Sequence, residues 1–148
     1  MELQPDFKEL LSWLNEHQVE YLIVGGYALA FHGAPRFTGD LDILINPDPK
    51  NAGRVMAALE AFGFRSAGLS AADFQAPGNV IQLGFPPVRI DIMTSITGVP
   101  WPEAFSGRAA GLYGDVPVFF IGRSQLMANK RALGRKRDLA DLEALGEE

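Results

Sequence analysis

The chain has 148 residues, 47% hydrophobic and 21% charged, a balance typical of a globular protein with one core. Its formal net charge is −5, which argues against a protein that coats nucleic acid, although a local basic patch is compatible with it. The absence of cysteine excludes disulfides, zinc–thiolate sites and thiol nucleophiles.

The first part of the chain predicts helices and strands in alternation. Apolar residues at helical spacing predict a first helix over residues 6–17. A short apolar run predicts a buried strand at 21–24, and a short helix follows at 27–32. A second strand is predicted at 40–45 and a longer helix at 52–62.

The second part begins with a small, polar stretch at 66–77 that predicts a loop. Two strands are predicted at 80–85 and 88–93, a helical turn at 101–105 and a further strand at 116–121. These alternating elements predict an α/β or α+β fold, a mixed β-sheet flanked by helices.

The C-terminal part predicts helix, with Ser124 as its N-cap and Gly134 as a break between two pieces. No repeat or long linker divides the chain, so we expect one domain over residues 1–148. The first residues do not resemble a signal peptide, and no apolar run is long enough to span a bilayer. We therefore expect a cytoplasmic protein without a membrane partner.

Asp40 and Asp42 alternate with apolar residues in the predicted strand 40–45. Residues two apart on a strand point to the same face, about 6.6 Å apart along the strand, so the two carboxylates should project together. Like charges at this spacing resist joint ionisation unless a cation lies between them. Mg²⁺ prefers oxygen ligands and usually binds through one or two carboxylates plus substrate phosphates. Asp91, in the apolar sequence RIDIM, supplies a third carboxylate.

Gly25 and Gly26 lie between the first predicted strand and the short helix. Glycine allows backbone N–H groups to approach a ligand closely, and a following helix offers its N-terminal amides to an anion. The pair therefore predicts a phosphate cradle beside the acidic strand. Arg36 and Thr38 precede that strand and could contact phosphate or the acidic cluster.

Each of these features also has a purely structural interpretation. A Gly-Gly pair is often only a turn, and an Asp-x-Asp sequence is often a solvated strand end. Asp91 alone could be an edge residue paired with Arg89. The order and spacing of the features favour the metal site.

The sequence from residue 21 to residue 145 resembles DNA polymerase beta-type nucleotidyltransferases. The resemblance rests on Gly-Gly, a gap of thirteen residues, the sequence DLDI and a later IDI. It is strongest to small bacterial domains of this superfamily, including the toxins of type IV toxin–antitoxin pairs, which also share a basic–acidic segment like KRALGRKRDLADLEAL. Larger members carry an extra helical domain, for which this chain has little room after Gly122.

The resemblance implies the nucleotidyltransferase fold and a reaction that needs one or two Mg²⁺ ions, for which Mn²⁺ can substitute. It implies that Gly25 and Gly26 lie at the triphosphate of an NTP, with Lys130 contacting the phosphates. Asp40 and Asp42 are implied as metal ligands. Asp91 is implied as the third carboxylate of the metal site, which helps to activate the acceptor hydroxyl.

Residues 130–137 hold five cations in an otherwise acidic protein. They are either a solvated helix face offset by the nearby Asp138, Asp141 and Glu143, or a clamp for triphosphate or nucleic acid. An unbroken helix would place Lys130 on one face with Asp138 and Asp141, but Gly134 argues against continuity.

Two functions follow from these observations. The first is a Mg²⁺-dependent nucleotidyltransferase that moves a nucleoside monophosphate from an NTP to an acceptor hydroxyl. The second is an inactive binding module with this fold, acting as a toxin–antitoxin or RNA-binding partner. Retention of all three carboxylates favours the enzyme. The acceptor (a tRNA end, a protein or a small molecule), the preferred NTP, and a partner protein or homo-oligomer stay open.

Overall fold

A computed structural model describes residues 3–34, 39–64, 68–85 and 88–146. Within these ranges the chain forms a mixed β-sheet flanked by helices, as the sequence predicts. The helices are α1 Pro5–Glu16, α2 Gly25–Phe31, α3 Pro49–Phe62, α4 Trp101–Ser106, α5 Arg123–Leu133 and α6 Lys136–Ala144. The strands are β1 Tyr21–Val24, β2 Asp40–Ile45, β3 Val80–Phe85, β4 Val88–Met93, β5 Ala109–Tyr113 and β6 Val116–Phe120. A 3₁₀-helix at Ala71–Phe74 lies within the predicted loop 66–77.

The six strands lie in the order β3-β4-β2-β1-β6-β5. The β1–β6 and β2–β4 pairs are parallel, and the other neighbours are antiparallel. This order places β2 between β1 and β4. The acidic strand therefore has the Gly-Gly turn on one side and the Asp91 strand on the other.

The core lies where helices cover the central strands. All four residues of β1 are buried, as expected for a strand with packed elements on both faces. The helix α1 buries four apolar residues spaced along one face, namely Phe7, Leu10, Leu11 and Leu14. Among the described residues, no helix combines the length and apolar character needed to cross a bilayer.

The strand β5 was not predicted. Its sequence, AAGLY, is rich in Ala and Gly, which have low strand propensity, and it lies at the edge of the sheet. Gly111 faces the ring of Phe31, with 2.7 Å between that ring and the position a Cβ would take. Tertiary packing of this kind leaves no periodic signal in the sequence.

The predicted N-cap of the C-terminal helix, Ser124, is wrong. The helix α5 begins at Arg123 with Gly122 as its N-cap, and no side chain caps it. A Cβ at position 122 would lie 2.1 Å from the carbonyl oxygen of Gly107, so close backbone packing fixes the helix start. The predicted break is confirmed, because Gly134 ends α5 in the left-handed conformation, at φ 64°.

Candidate active site

In the acidic strand β2, Leu41 and Ile43 lie on the opposite face from the two acidic side chains, as their alternation in the sequence predicts. Leu41 and Ile43 are fully buried, whereas Asp40 and Asp42 are only partly buried. The carboxylates therefore share the accessible face of the strand while the apolar residues fill the core.

The neighbouring strand β4 brings the third carboxylate to the same place. In the parallel register of β2 and β4, Asp42 lies opposite Asp91, and Asp40 lies opposite Arg89. Asp91 is 6% exposed. The structure thus brings together the three carboxylates that the sequence singles out.

The surroundings of Asp42 raise the pKa of its carboxyl group. Burial is the largest cause, and the charges of Asp91 and Asp40 and a hydrogen bond with Asp91 act in the same direction, so that together they raise the pKa of Asp42 to about 6. The charge of Arg89 acts in the opposite direction. The charged form of Asp42 is therefore disfavoured by burial first and by its acidic neighbours second.

The Arg89 guanidinium neutralises part of the negative charge of the three carboxylates. Its Nη2 lies 3.1 Å from Asp40 Oδ2 and 3.2 Å from Asp91 Oδ2. Its Nε lies 3.1 Å from Asp91 Oδ1, but both atoms are buried and the pair lacks hydrogen-bond geometry. The ion pair between Arg89 and Asp91, considered above as a structural alternative, is therefore present inside the acidic cluster.

Gly25 lies against the acidic cluster on the side of β1. It has φ 68°, and a Cβ at this position would lie 2.1 Å from Asp42 Oδ2. Val24 pairs with Asp42 in the antiparallel register of β1 and β2, and α2 begins at Gly25 itself. Only glycine fits here, because a side chain would occupy the space beside the carboxylate.

A cavity of about 580 Å³ opens onto this cluster. Gly25, Gly26, Asp40 and Asp42 line it, as do residues of the C-terminal helices, whereas Asp91 is not among the described lining residues. The remaining lining residues are Val24, Val80, Met93, Ser95, Ile96, Thr97, Leu126, Asn129, Lys130, Leu133, Arg135 and Arg137. Its size and mixed apolar and polar lining are typical of a small-molecule site.

Lys130 belongs to a buried ion-pair network in the cavity wall. Its Nζ lies 3.0 Å from Asp141 Oδ2 and 3.4 Å from Asp138 Oδ1. Hydrogen bonds from Arg135 lower the pKa of the fully buried Asp138 to about 2. The network joins α5 to α6 across the Gly134 turn, so the acidic residues offset Lys130 without an unbroken helix.

Three carboxylates supply the oxygen ligands that Mg²⁺ prefers. The raised pKa of Asp42 favours a cation at this place, whereas Asp91 Oδ1 already lies 3.1 Å from the Arg89 Nε. Within the described ranges, no group of three or more acidic, His or Cys side chains has the compact arrangement of a ready-made metal site. The chemistry of the cluster fits Mg²⁺, although Arg89 spans two of its members.

Arg36 and Thr38 lie outside the described residues. The bridging position of Arg89 was not predicted, although its spacing of two from Asp91 on one strand is a visible signal. Asn129 and Thr97 were also missed, because their place in the cavity depends on how α5 packs against the loop after β4.

No protein-family model matches the chain, and no curated protein sequence matches it significantly. Solved structures do match it. A candidate nucleotidyltransferase from Thermotoga maritima superposes with a TM-score of 0.66 at 14% identity, over 96% of this chain and 93% of that one. The chain has the nucleotidyltransferase fold.

Two further structures with this fold are similar over most of their length. The lincosamide antibiotic adenylyltransferase LnuA, bound to lincomycin, has a TM-score of 0.60 at 14% identity and 99% coverage of both chains. The antibiotic-resistance factor ANT(2'')-Ia has a TM-score of 0.61 at 14% identity, over 95% of this chain and 80% of that one. The nucleotidyltransferase fold implied by the sequence resemblance is therefore confirmed.

Proposed function

We propose that the protein is a Mg²⁺-dependent nucleotidyltransferase that transfers a nucleoside monophosphate from an NTP to an acceptor hydroxyl. The observation that carries this proposal is the meeting of Asp40, Asp42 and Asp91 on two paired strands, with Asp42 beside Gly25 and both Asp40 and Asp42 lining a cavity, in a chain with the nucleotidyltransferase fold. Such transfer needs positioning and charge neutralisation more than covalent participation by the protein.

Asp40 and Asp42, with Asp91, are the residues that would hold Mg²⁺. The bound ion would neutralise charge on the phosphates, and Mn²⁺ could take its place. Gly25 lacks the Cβ that would collide with Asp42 Oδ2, so the backbone at the end of β1 lies close beside this carboxylate. We assign Gly25 and Gly26, at the start of α2, to the triphosphate. We assign Arg36 and Thr38 to the same phosphate groups, because they precede β2 in the sequence.

Asp91 is the proposed acceptor of the proton. The acceptor oxygen attacks the α-phosphorus, the bond between that phosphorus and the oxygen bridging to the β-phosphate breaks, and pyrophosphate leaves. The hydroxyl proton passes to Asp91, which lies opposite Asp42 in the register of β2 and β4. A positioned base of this kind typically contributes about 10²–10⁴-fold to the rate.

Lys130 has two roles in this proposal. An ammonium group has three donors, and two of them face Asp138 and Asp141. The third remains for a phosphate in the cavity that Lys130 lines. Lys130 would then couple the C-terminal hairpin to the bound nucleotide.

The acceptor is proposed to be a small molecule with a hydroxyl group. The support is LnuA, an adenylyltransferase of lincosamide antibiotics, which matches this chain over 99% of both lengths. A tRNA end or a protein hydroxyl is the alternative, in keeping with the resemblance to type IV toxins. The cavity is large enough for one small ligand and is open to solvent beside Arg135 and Arg137.

A second candidate function is a binding module that has lost catalysis, acting with a toxin–antitoxin partner or RNA. The observation that favours it is the Arg89 guanidinium, which already contacts two of the three carboxylates. Under this alternative the arginine would replace the metal permanently.

Incubation with each labelled NTP and Mg²⁺ separates the two functions. The acceptors would be a cell extract and, in parallel, a panel of hydroxyl-bearing antibiotics, and Asp40→Asn/Asp42→Asn would be the control. Label transferred by the wild type alone supports the enzyme. Intact NTP in every reaction, with purified protein that is folded, would support the binding module.

A further inference from the structure

Arg89 makes unequal contacts with two candidate metal ligands. Its contacts with Asp91 involve both Nε and Nη2 and lie on the buried side, where the Asp91 side chain is 9% exposed. Its contact with Asp40 is made by Nη2, and the Asp40 side chain is 37% exposed. The Asp40 contact is therefore the one that water and ions can reach.

We propose that Arg89 is an internal counter-cation that competes with the divalent metal for Asp40. In the metal-free protein the guanidinium holds Asp40 and Asp91 together. When a divalent cation binds, Arg89 releases Asp40 and keeps its contacts with Asp91. This inference rests on the proposed function in one respect, because it requires the acidic cluster to bind a divalent cation.

The chemistry of arginine suits this role. A guanidinium keeps its charge at all accessible pH values, so it offsets the carboxylates whenever the metal is absent. Its planar fork can contact two carboxylates at once, which the single ammonium of lysine does less well. Removing it would leave a poorly compensated cluster, which opposes folding.

Competition has two linked consequences. A side chain that contacts the metal ligands in the metal-free protein must lose those contacts when the metal binds. It therefore weakens metal binding by the free energy of the lost contacts. The same group must stabilise the metal-free fold more than the metal-bound fold. A purely structural arginine would instead stabilise both states alike, and an arginine that preorganises the ligands would strengthen metal binding.

The test is Mn²⁺ binding without nucleotide, followed by electron paramagnetic resonance. We expect Arg89→Gln to bind Mn²⁺ about tenfold more tightly than the wild type, the scale of one lost charge-assisted contact. Arg137→Gln is the matched control, because Arg137 lines the same cavity and is exposed. It should change the affinity by less than about threefold, because exposed charges are screened.

Thermal melts provide the second measurement, and Arg89→Lys is added in case Arg89→Gln folds poorly. Both variants should melt below the wild type in EDTA, and Mn²⁺ should recover most of the difference. Equal losses with and without Mn²⁺, or weaker Mn²⁺ binding by Arg89→Gln, would overturn the inference and leave the proposed function standing. An absence of Mn²⁺ binding in the wild type would overturn both.

Discussion

Asp42 lies directly opposite Asp91 on two neighbouring parallel strands, and burial and the Asp91 charge together raise the pKa of Asp42 to about 6. Two carboxylates directly opposite each other on paired strands do not stabilise a sheet. The two carboxylates lower the stability of the metal-free protein, and this is the physical reason to expect a cation between them. The loss of stability can be measured.

The first prediction concerns the stability of the metal-free protein. The folded-state pKa of Asp42, about 6, lies above the ordinary aspartate value of 3.8, so the folded state holds this proton more tightly. The resulting stabilisation is present below pH 3.8 and is lost as the pH rises through 6. Asp42→Asn should therefore raise the free energy of unfolding at pH 7.5 in EDTA, by at most about 3 kcal/mol.

The measurement is a denaturant titration in EDTA at pH 7.5 and at pH 4.5. The gain should shrink at pH 4.5, where Asp42 is mostly protonated in the folded state. Glu9→Gln removes one exposed acidic charge from α1 and is the control, for which we expect a change within about 0.5 kcal/mol. A loss of stability in Asp42→Asn at pH 7.5 would mean that Asp42 is a structural ion-pair partner.

The second prediction concerns Gly25. Gly25→Ala should lower the free energy of unfolding and weaken binding of NTP with Mg²⁺, because its Cβ would lie 2.1 Å from Asp42 Oδ2. Gly78→Ala is a matched control, since Gly78 has φ 78° and no atom of the described residues lies within 4 Å of the added Cβ. In that control the free energy of unfolding should fall only by the strain of a left-handed backbone, about 1–2 kcal/mol, and NTP binding should be normal.

Thermal melts and calorimetric NTP titrations of both variants distinguish the strain of a left-handed backbone from the collision of the added Cβ with Asp42. Equal destabilisation of Gly25→Ala and Gly78→Ala, with equal NTP affinity, would show that the space beside Asp42 has no functional meaning.

The third prediction separates chemistry from binding at Asp91. Asp91→Asn should keep most of the NTP affinity and slow transfer by about 10²–10⁴-fold, because Asp91 is assigned to the acceptor proton. Nucleotide affinity is measured by calorimetry and transfer by labelled NTP. Because Asp91 also contacts Arg89, a melt must show that the variant is folded. Transfer at the wild-type rate would remove Asp91 from the mechanism.

The fourth prediction concerns the buried ion pairs of the C-terminal hairpin. Lys130→Met should lower the free energy of unfolding by about 3–5 kcal/mol, because Asp138 and Asp141 would lose a buried partner. Lys136→Met, at an exposed position of α6, should change it by less than about 0.5 kcal/mol. Denaturant titrations of both variants give the comparison, and similar stability in the two would refute the structural role of Lys130.

The parts of the site that follow from strand periodicity could be predicted from the sequence. The alternation in DLDILI predicted that Asp40 and Asp42 share a face, and both strands that carry the cluster were predicted with the bounds that the structure has. The helix break at Gly134 was also predictable, because it depends on a local backbone preference.

The contacts that depend on register between distant strands could not be predicted in the same way. Arg89 lies opposite Asp40 only because β2 pairs with β4 in one particular register. Gly122 caps α5 because of its approach to Gly107, fifteen residues earlier in the chain, and no local pattern marks that contact. The Lys130 network likewise forms through the turn between two helices.

The central claim is that the acidic cluster holds the metal of an NTP. Calorimetric titration of NTP, with and without Mg²⁺, into the wild type and into Asp40→Asn/Asp42→Asn tests it most directly. We predict that Mg²⁺ raises the NTP affinity of the wild type at least tenfold, and that the double variant shows no increase. Equal NTP affinity in all four titrations would contradict the claim.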